Sequence, residues 1–85
     1  MLKIVFSNNE EVSIGKNDII QAWVTDNKEK QPFYAHDIFS GTLSNSKIAT
    51  RDSKVGLQGL LGQAEWISIN HGPLYKTSSI IKIID

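Results

Sequence analysis

The stretch "LKIVFSNNEEVSI", residues 2–14, is the strongest structural signal in this chain of 85 residues. Apolar and polar residues alternate in both of its halves, with Leu2, Ile4 and Phe6 in the first half and Val12 and Ile14 in the second. Alternation with a period of two is typical of a β-strand that buries one face. The stretch therefore predicts two strands joined by a turn.

The turn lies in "SNNEE", where two asparagines tolerate the positive φ of a tight turn. A loop with an odd number of residues pairs Phe6 with Val12 and Ile4 with Ile14, which keeps the apolar side chains on one face. A two-residue loop would instead pair Phe6 with Glu11. We therefore predict a hairpin with an odd loop.

The next stretch, "GKNDIIQAWVTDN", has a different period. Ile19 and Ile20 are followed four positions later by Trp23 and Val24, which is the spacing of an apolar stripe on a helix. We predict a short helix here, held by packing rather than by propensity. A buried strand over "IIQAWV" is the second interpretation.

The middle of the chain carries weaker signals. We expect a strand near residues 33–36, a turn or irregular edge over "HDIFSGTLSNS", and a short strand over "KIATR". In "VGLQGLLGQ", residues 55–63, each interior glycine would cost a helix about 1 kcal/mol relative to alanine. We therefore predict a loop or one broken helical turn there.

The C-terminal part predicts a second hairpin, made of the strand "AEWISI", the turn "NHGP" and the strand "LYKTSSIIKIID". The register of this hairpin stays open. An odd loop pairs Ile67 with Thr77 and Ile69 with Tyr75, whereas an even loop pairs Ile69 with Leu74.

Two adjacent isoleucines in the last strand, Ile80 and Ile81, point to opposite faces, so either both faces are buried or a bulge lies near residues 78–79. We expect the strands at the two ends of the chain to pair. Together these patterns predict a single small domain over residues 1–85, of the α+β class and mostly β, with four to six strands. The strands would form a small bent antiparallel sheet or an SH3-like, partly open barrel with one short helix.

The charge and the cysteine content of the chain argue against several classes of function. Nine basic and nine acidic residues give a net charge of zero, and Arg51 is the single arginine, so the composition argues against nucleic acid and membrane surfaces as partners. The absence of cysteine excludes disulfides, thiolate catalysis and zinc–cysteine sites. The first residues do not read as a leader peptide, and no apolar run approaches the ~20 residues of a membrane span. We therefore expect a soluble, cytoplasmic protein.

The stretch "INHGPLYKTSS" collects a histidine, a lysine and several hydroxyl groups, which raises the question of catalysis. His71 lies in the predicted turn, and the hydroxyl residues 77–79 would alternate between the two faces of a strand, so they do not converge on one atom. His36 and Asp37 are adjacent and diverge in the same way, and two histidines without thiols make a poor metal site. We expect no enzyme activity, no cofactor and no metal.

Apolar residues set among glycines are the best candidates for an interaction surface. They are Val55, Leu57, Leu60 and Leu61, beside Trp66. The competing and favoured interpretation of this segment is a loop that covers the core. Where such residues are exposed, they mark a surface for a partner. We therefore expect a non-catalytic interaction module that binds a protein partner or associates with its own copies.

The alternative is a small barrel that binds single-stranded nucleic acid. Its candidate residues are Lys28, Lys30, Phe33 and Tyr34. Lysines beside aromatic rings are how such proteins hold stacked bases, although the neutral chain weakens this hypothesis. Trp23 and Trp66 lie in apolar periodic runs and are interpreted as core residues.

Overall fold

The computed structural model describes residues 1–25, 35–48 and 52–85. Within these ranges the elements are β1 (Leu2–Phe6), β2 (Glu11–Ile14), β3 (Ile20–Thr25), β4 (Ala35–Gly41), α1 (Ser53–Gln63), β5 (Trp66–Ile69), β6 (Tyr75–Lys76), a 3-10 turn (Thr77–Ser79) and β7 (Ile80–Ile84). The mostly β, α+β class is confirmed. The described strands form two antiparallel sheets, in the orders β2-β1-β7 and β4-β3-β5-β6, and they do not close a barrel.

The first hairpin has the odd loop that the sequence predicts, but its register differs by two residues. Ile4 lies opposite Val12 and not opposite Ile14. The turn begins directly after Phe6, because the Asn9 N–H donates to the Phe6 carbonyl at 2.9 Å and Asn9 has a φ of 72°. A shift of two residues leaves every side chain on its expected face, so the alternating pattern could not detect it.

The two ends of the chain pair, as predicted. In the first sheet β1 lies between β2 and β7, and Ile4 is opposite Ile83. A register shift beside Phe6 leaves Ile81 as an extra residue, and its side chain is 60% exposed. This irregularity resolves the conflict between the two adjacent isoleucines, because Ile80 packs against the core while Ile81 does not.

The predicted helix over residues 19–24 is wrong, and the strand interpretation is right. β3 is an inner strand of the second sheet, with hydrogen-bonded neighbours on both sides. Ile20 and Ala22 are buried, while Trp23 points to the other face. A short apolar run fits helical and strand periods alike, and here pairing with β4 and β5 decides between them.

The predicted loop over residues 55–63 is also wrong, since α1 covers all of it. The Asp52 carboxylate caps the helix by accepting from the Lys54 N–H at 2.9 Å. Leu57 and Leu61 lie one turn apart and are both buried. Burying a leucine side chain contributes about 1.5–3 kcal/mol, which offsets the cost of the helical glycines.

The second hairpin turns at Asn70 and His71, whose φ angles of 52° and 61° match a type I′ turn. The Gly72 N–H donates to the Ile69 carbonyl at 2.9 Å and closes this turn. Ile67 lies opposite Tyr75. The odd loop considered above would pair Ile67 with Thr77, so the observed register is shifted from it by two residues.

Residues 77–79 do not continue the strand as predicted. They form a 3-10 turn that carries the chain from β6 in the second sheet to β7 in the first. In the predicted strand "KIATR", Ile48 lies in a turn and is buried, and residues 49–51 lie outside the described residues.

One apolar cluster joins the two sheets and the helix. Ile4 and Ile14 come from the first sheet, Ile20 and Ile67 from the second, and Leu57 from α1, and all five are fully buried. The inner faces of both sheets meet in this cluster, while Trp66 on the outer face of the second sheet is 37% exposed.

Candidate binding groove

A row of four side chains crosses the outer face of the second sheet from one edge to the other. Register places Asp37 on β4 opposite Trp23 on β3, then Trp66 on β5, then Lys76 on β6. Directly opposite residues of antiparallel strands share one face of the sheet. The row, which we call the indole row, therefore puts two neighbouring rings between an acid and a base.

The two rings form the walls of an open groove of about 370 Å³. The lining residues are Trp23, Thr25, Ala35, Trp66 and Leu74. Trp66 is 37% exposed and Leu74 58% exposed, so apolar surface remains in contact with solvent. The chain has two tryptophans in all, and both lie in this indole groove.

Lys76 occupies one face of the second indole. Its Nζ lies 5.1 Å from the centre of the Trp66 ring, within the range of a cation–π interaction. The contact places the ammonium group against the face of this indole.

Glu65 forms two hydrogen bonds to β3 beside the groove. Its Oε1 accepts from the Thr25 N–H at 2.9 Å, and its own N–H donates to the Trp23 carbonyl at 2.9 Å. The hydrogen bonds with Thr25, and the nearby charge of Lys76, hold the pKa of Glu65 below its ordinary value. The Thr77 hydroxyl donates to the Ala64 carbonyl at 2.6 Å and ties the next segment to the same point. These hydrogen bonds hold the backbone segments next to Trp23 and Trp66 together in the protein without a ligand.

The residues predicted to form an interaction surface do not lie together. Leu57 and Leu61 are buried and Leu60 packs against the core, which agrees with the interpretation of this segment as a cover for the core. Val55 is exposed on α1, where it lines a separate shallow groove beside Ile83. Of the five, Trp66 alone lines the indole groove.

The interpretation of both tryptophans as core residues needs correction. In a strand that contains "EWISI", Trp66 and Ile67 point to opposite faces, so a sheet that buries one face covers only one of them. Ile67 is fully buried and Trp66 is exposed. This alternation was the one available sequence signal for the groove, and it applies to Trp23 only after residues 20–25 are assigned as a strand.

The nucleic-acid candidates Lys28, Lys30, Phe33 and Tyr34 lie outside the described residues. No group of three or more histidine, cysteine, aspartate or glutamate residues lies close enough to hold a metal ion in the described ranges. In those ranges, too, no helix has the length and hydropathy needed to cross a bilayer.

Comparison with known proteins adds no relatives. No protein-family model, no curated protein and no solved structure matches this chain. The structure is that of a mostly β, α+β domain in which Trp23, half-buried, and Trp66, exposed, are neighbours on one sheet face.

Proposed function

We propose that this protein is a non-catalytic, cytoplasmic interaction module whose indole groove binds an extended segment of a partner protein. The observation that carries the proposal is the side-by-side placement of both tryptophans on a solvent-facing sheet surface. Tryptophan is enriched among the residues that dominate binding energy at protein interfaces. Composition supports the cytoplasm, because small secreted domains usually rely on disulfides and this chain has no cysteine.

The shape of the groove favours an extended segment over a flat protein surface. Thr25 and Ala35 are small, lie opposite each other on β3 and β4, and line the groove together with the two indoles and Leu74. An open apolar groove of this kind accepts the side chains of an extended chain, while the flat rings offer large contact areas at low entropic cost.

The charges around the groove favour a polypeptide over a nucleic acid. Among the described residues, Asp37 and Glu65 flank the indoles, and Lys76 is the nearby base. Nucleic-acid grooves need several basic groups to neutralise phosphates, and two carboxylates beside one ammonium would repel them.

Peptide selection tests the proposal. A library of displayed random twelve-residue peptides would be selected on the immobilised wild-type protein and then assayed on two variants. Leu74→Ser removes a groove wall. Ile81→Ser is a matched control, because Ile81 is 60% exposed, against 58% for Leu74, and does not line the groove. Trp23→Ala provides a second groove variant, and circular dichroism checks that each variant folds.

We expect enriched peptides to bind the wild type and Ile81→Ser equally and to lose at least tenfold in affinity for Leu74→Ser and Trp23→Ala. Equal binding to all four proteins, or no enrichment, would overturn the proposal. Two other assays bear on the occupant. Salt-sensitive, Trp23-dependent binding of a fluorescent oligothymidine would replace the partner segment with nucleic acid, and dimerisation lost in Leu74→Ser would replace it with a second copy.

A further inference from the structure

We infer that the indole groove selects extended peptides that carry one basic and one acidic side chain about four to five residues apart, with apolar residues between them. This inference rests on the proposed function and specifies its ligand. It follows from the order of charges in the indole row, which runs from Asp37 through the two indoles to Lys76.

The two charges lie at opposite edges of the sheet. The row crosses the four strands β4, β3, β5 and β6, and neighbouring strands lie about 4.8 Å apart, so the acid and the base are separated by about 14 Å at the backbone. Polyproline II structure advances about 3.1 Å per residue, so a ligand spans this distance in about four to five residues.

Each end of the row is placed to contact a ligand. Asp37 is exposed on β4, an edge strand of the described sheet. Lys76 is exposed on β6, and its ammonium group is held over the Trp66 ring. A basic ligand side chain is therefore attracted to the Asp37 edge and an acidic one to the Lys76 edge, where the nearby carboxylate of Glu65 offsets part of the attraction.

The middle of the row is apolar, which sets the chemistry of the central ligand residues. Trp23 and Trp66 are direct cross-strand neighbours, and Leu74 extends the apolar surface. Proline suits this position, because it is apolar and already restricted to the extended backbone, so that little conformational entropy is lost on docking. The favoured ligand is thus a proline-containing segment with a charge of opposite sign at each end.

Four blocked six-residue peptides test the inference. Each has alternating proline and alanine at its four central positions. The terminal side chains are arginine and glutamate in the first peptide, two arginines in the second, two glutamates in the third and two glutamines in the fourth. Tryptophan emission measures binding to the wild type, because both tryptophans lie in the groove. Anisotropy of labelled peptides measures binding to the variants.

We expect the wild type to bind the arginine–glutamate peptide most tightly, by up to about fivefold for each matched charge, with the preference weakened by salt. Asp37→Lys should shift the preference to the two-glutamate peptide, and Lys76→Glu to the two-arginine peptide. Lys82→Glu, a charge reversal at an exposed position on β7, should leave the wild-type order unchanged.

The outcomes separate the two proposals. If all four peptides bind with equal affinity and depend on Leu74, the groove binds peptides but does not select charge, and the inference fails alone. If the peptide preference is the same in the wild type, Asp37→Lys and Lys76→Glu, the row does not set it and the inference also fails. If neither these peptides nor the selected ones bind in a Leu74-dependent way, the proposed function fails as well.

Discussion

The three glycines of α1 should respond in opposite ways to replacement by alanine, because their surroundings differ. A Cβ added at Gly56 would lie 1.9 Å from the Ile48 carbonyl oxygen and under 3.0 Å from two further backbone atoms of that residue. A Cβ added at Gly59 or Gly62 would have no heavy atom within 4 Å. Gly56 therefore lets α1 approach the Ile48 turn, while the other two glycines have no such packing role.

The expected magnitudes follow from helix propensity and packing. Alanine is more favourable than glycine inside a helix by about 1 kcal/mol, so Gly59→Ala should raise the free energy of unfolding by about that amount. Gly62 lies in the last turn, where the gain is smaller. At Gly56 the same gain is outweighed by forced separation of packed backbone, which costs about 3 kcal/mol or more. The net loss for Gly56→Ala is then about 2 kcal/mol.

Urea and thermal unfolding, followed by circular dichroism, measure these differences. For a domain of this size 1 kcal/mol corresponds to about 4–8 °C in Tm, so Gly59→Ala should melt higher by that amount and Gly56→Ala lower by about twice as much. The urea m-value should stay constant, which shows that the denatured state is unchanged. A neutral or stabilising Gly56→Ala, or a destabilising Gly59→Ala, would refute the packing of α1 against Ile48.

Three further predictions concern single polar groups. Ser68 is 2% exposed and its hydroxyl makes no hydrogen bond to the described residues, so Ser68→Ala should raise the free energy of unfolding in urea by about 1 kcal/mol. His71 has a φ of 61° in a turn position that favours glycine. His71→Gly should therefore raise Tm by a few degrees, and a drop would contradict the turn geometry. Hydrogen bonds from Asn70 and Gly15 hold the pKa of Asp18 below its ordinary value of 3.8. This stabilisation is present above that pH and lost as the pH falls through the lowered pKa of the folded state, so acid unfolding of Asp18→Asn should be less steep than that of the wild type.

The local pattern of apolar residues was a reliable guide where one face of a strand is buried. The first hairpin, the strand at residues 66–69 and the pairing of the two chain ends were all predicted, because alternating side chains must face one core. The predicted register of the first hairpin was wrong by two residues, and neither of the two registers left open for the second hairpin is the observed one. A slip of two residues preserves every face, and the turn backbone at Asn9 and at Asn70 decides between the possibilities.

Both errors in helix assignment arose where tertiary contacts outweigh local preference. Residues 19–24 have helical spacing, yet hydrogen bonds to β4 and β5 hold Ile20–Thr25 as a strand. The glycine-containing residues 55–63 have poor helix propensity, yet burial of Leu57 and Leu61 and the Asp52 cap hold them as a helix. Propensity is a weak guide in both segments, since the burial of a single large side chain exceeds it.

The candidate site was only partly foreseeable. Trp66 was among the predicted contact residues, but Trp23 was interpreted as core, and neither Asp37 nor Lys76 was predicted to take part. Their meeting depends on the order of four strands in one sheet and on the register of each pair. The β3–β5 pairing, which brings Trp23 and Trp66 together, joins segments that lie far apart in the chain, and the pattern of neighbouring residues does not predict it.

The sequence by itself determined the composition, the net charge and the class of fold. It established a neutral chain without cysteine and alternating apolar residues sufficient for a mostly β domain. Tertiary structure alone decided which face of the second sheet stays in contact with solvent, and that Trp23 and Trp66 share that face between an acid and a base. The physical reason is that burial of one sheet face is a local property of alternation, while the neighbours across a sheet are set by hydrogen bonds between distant strands.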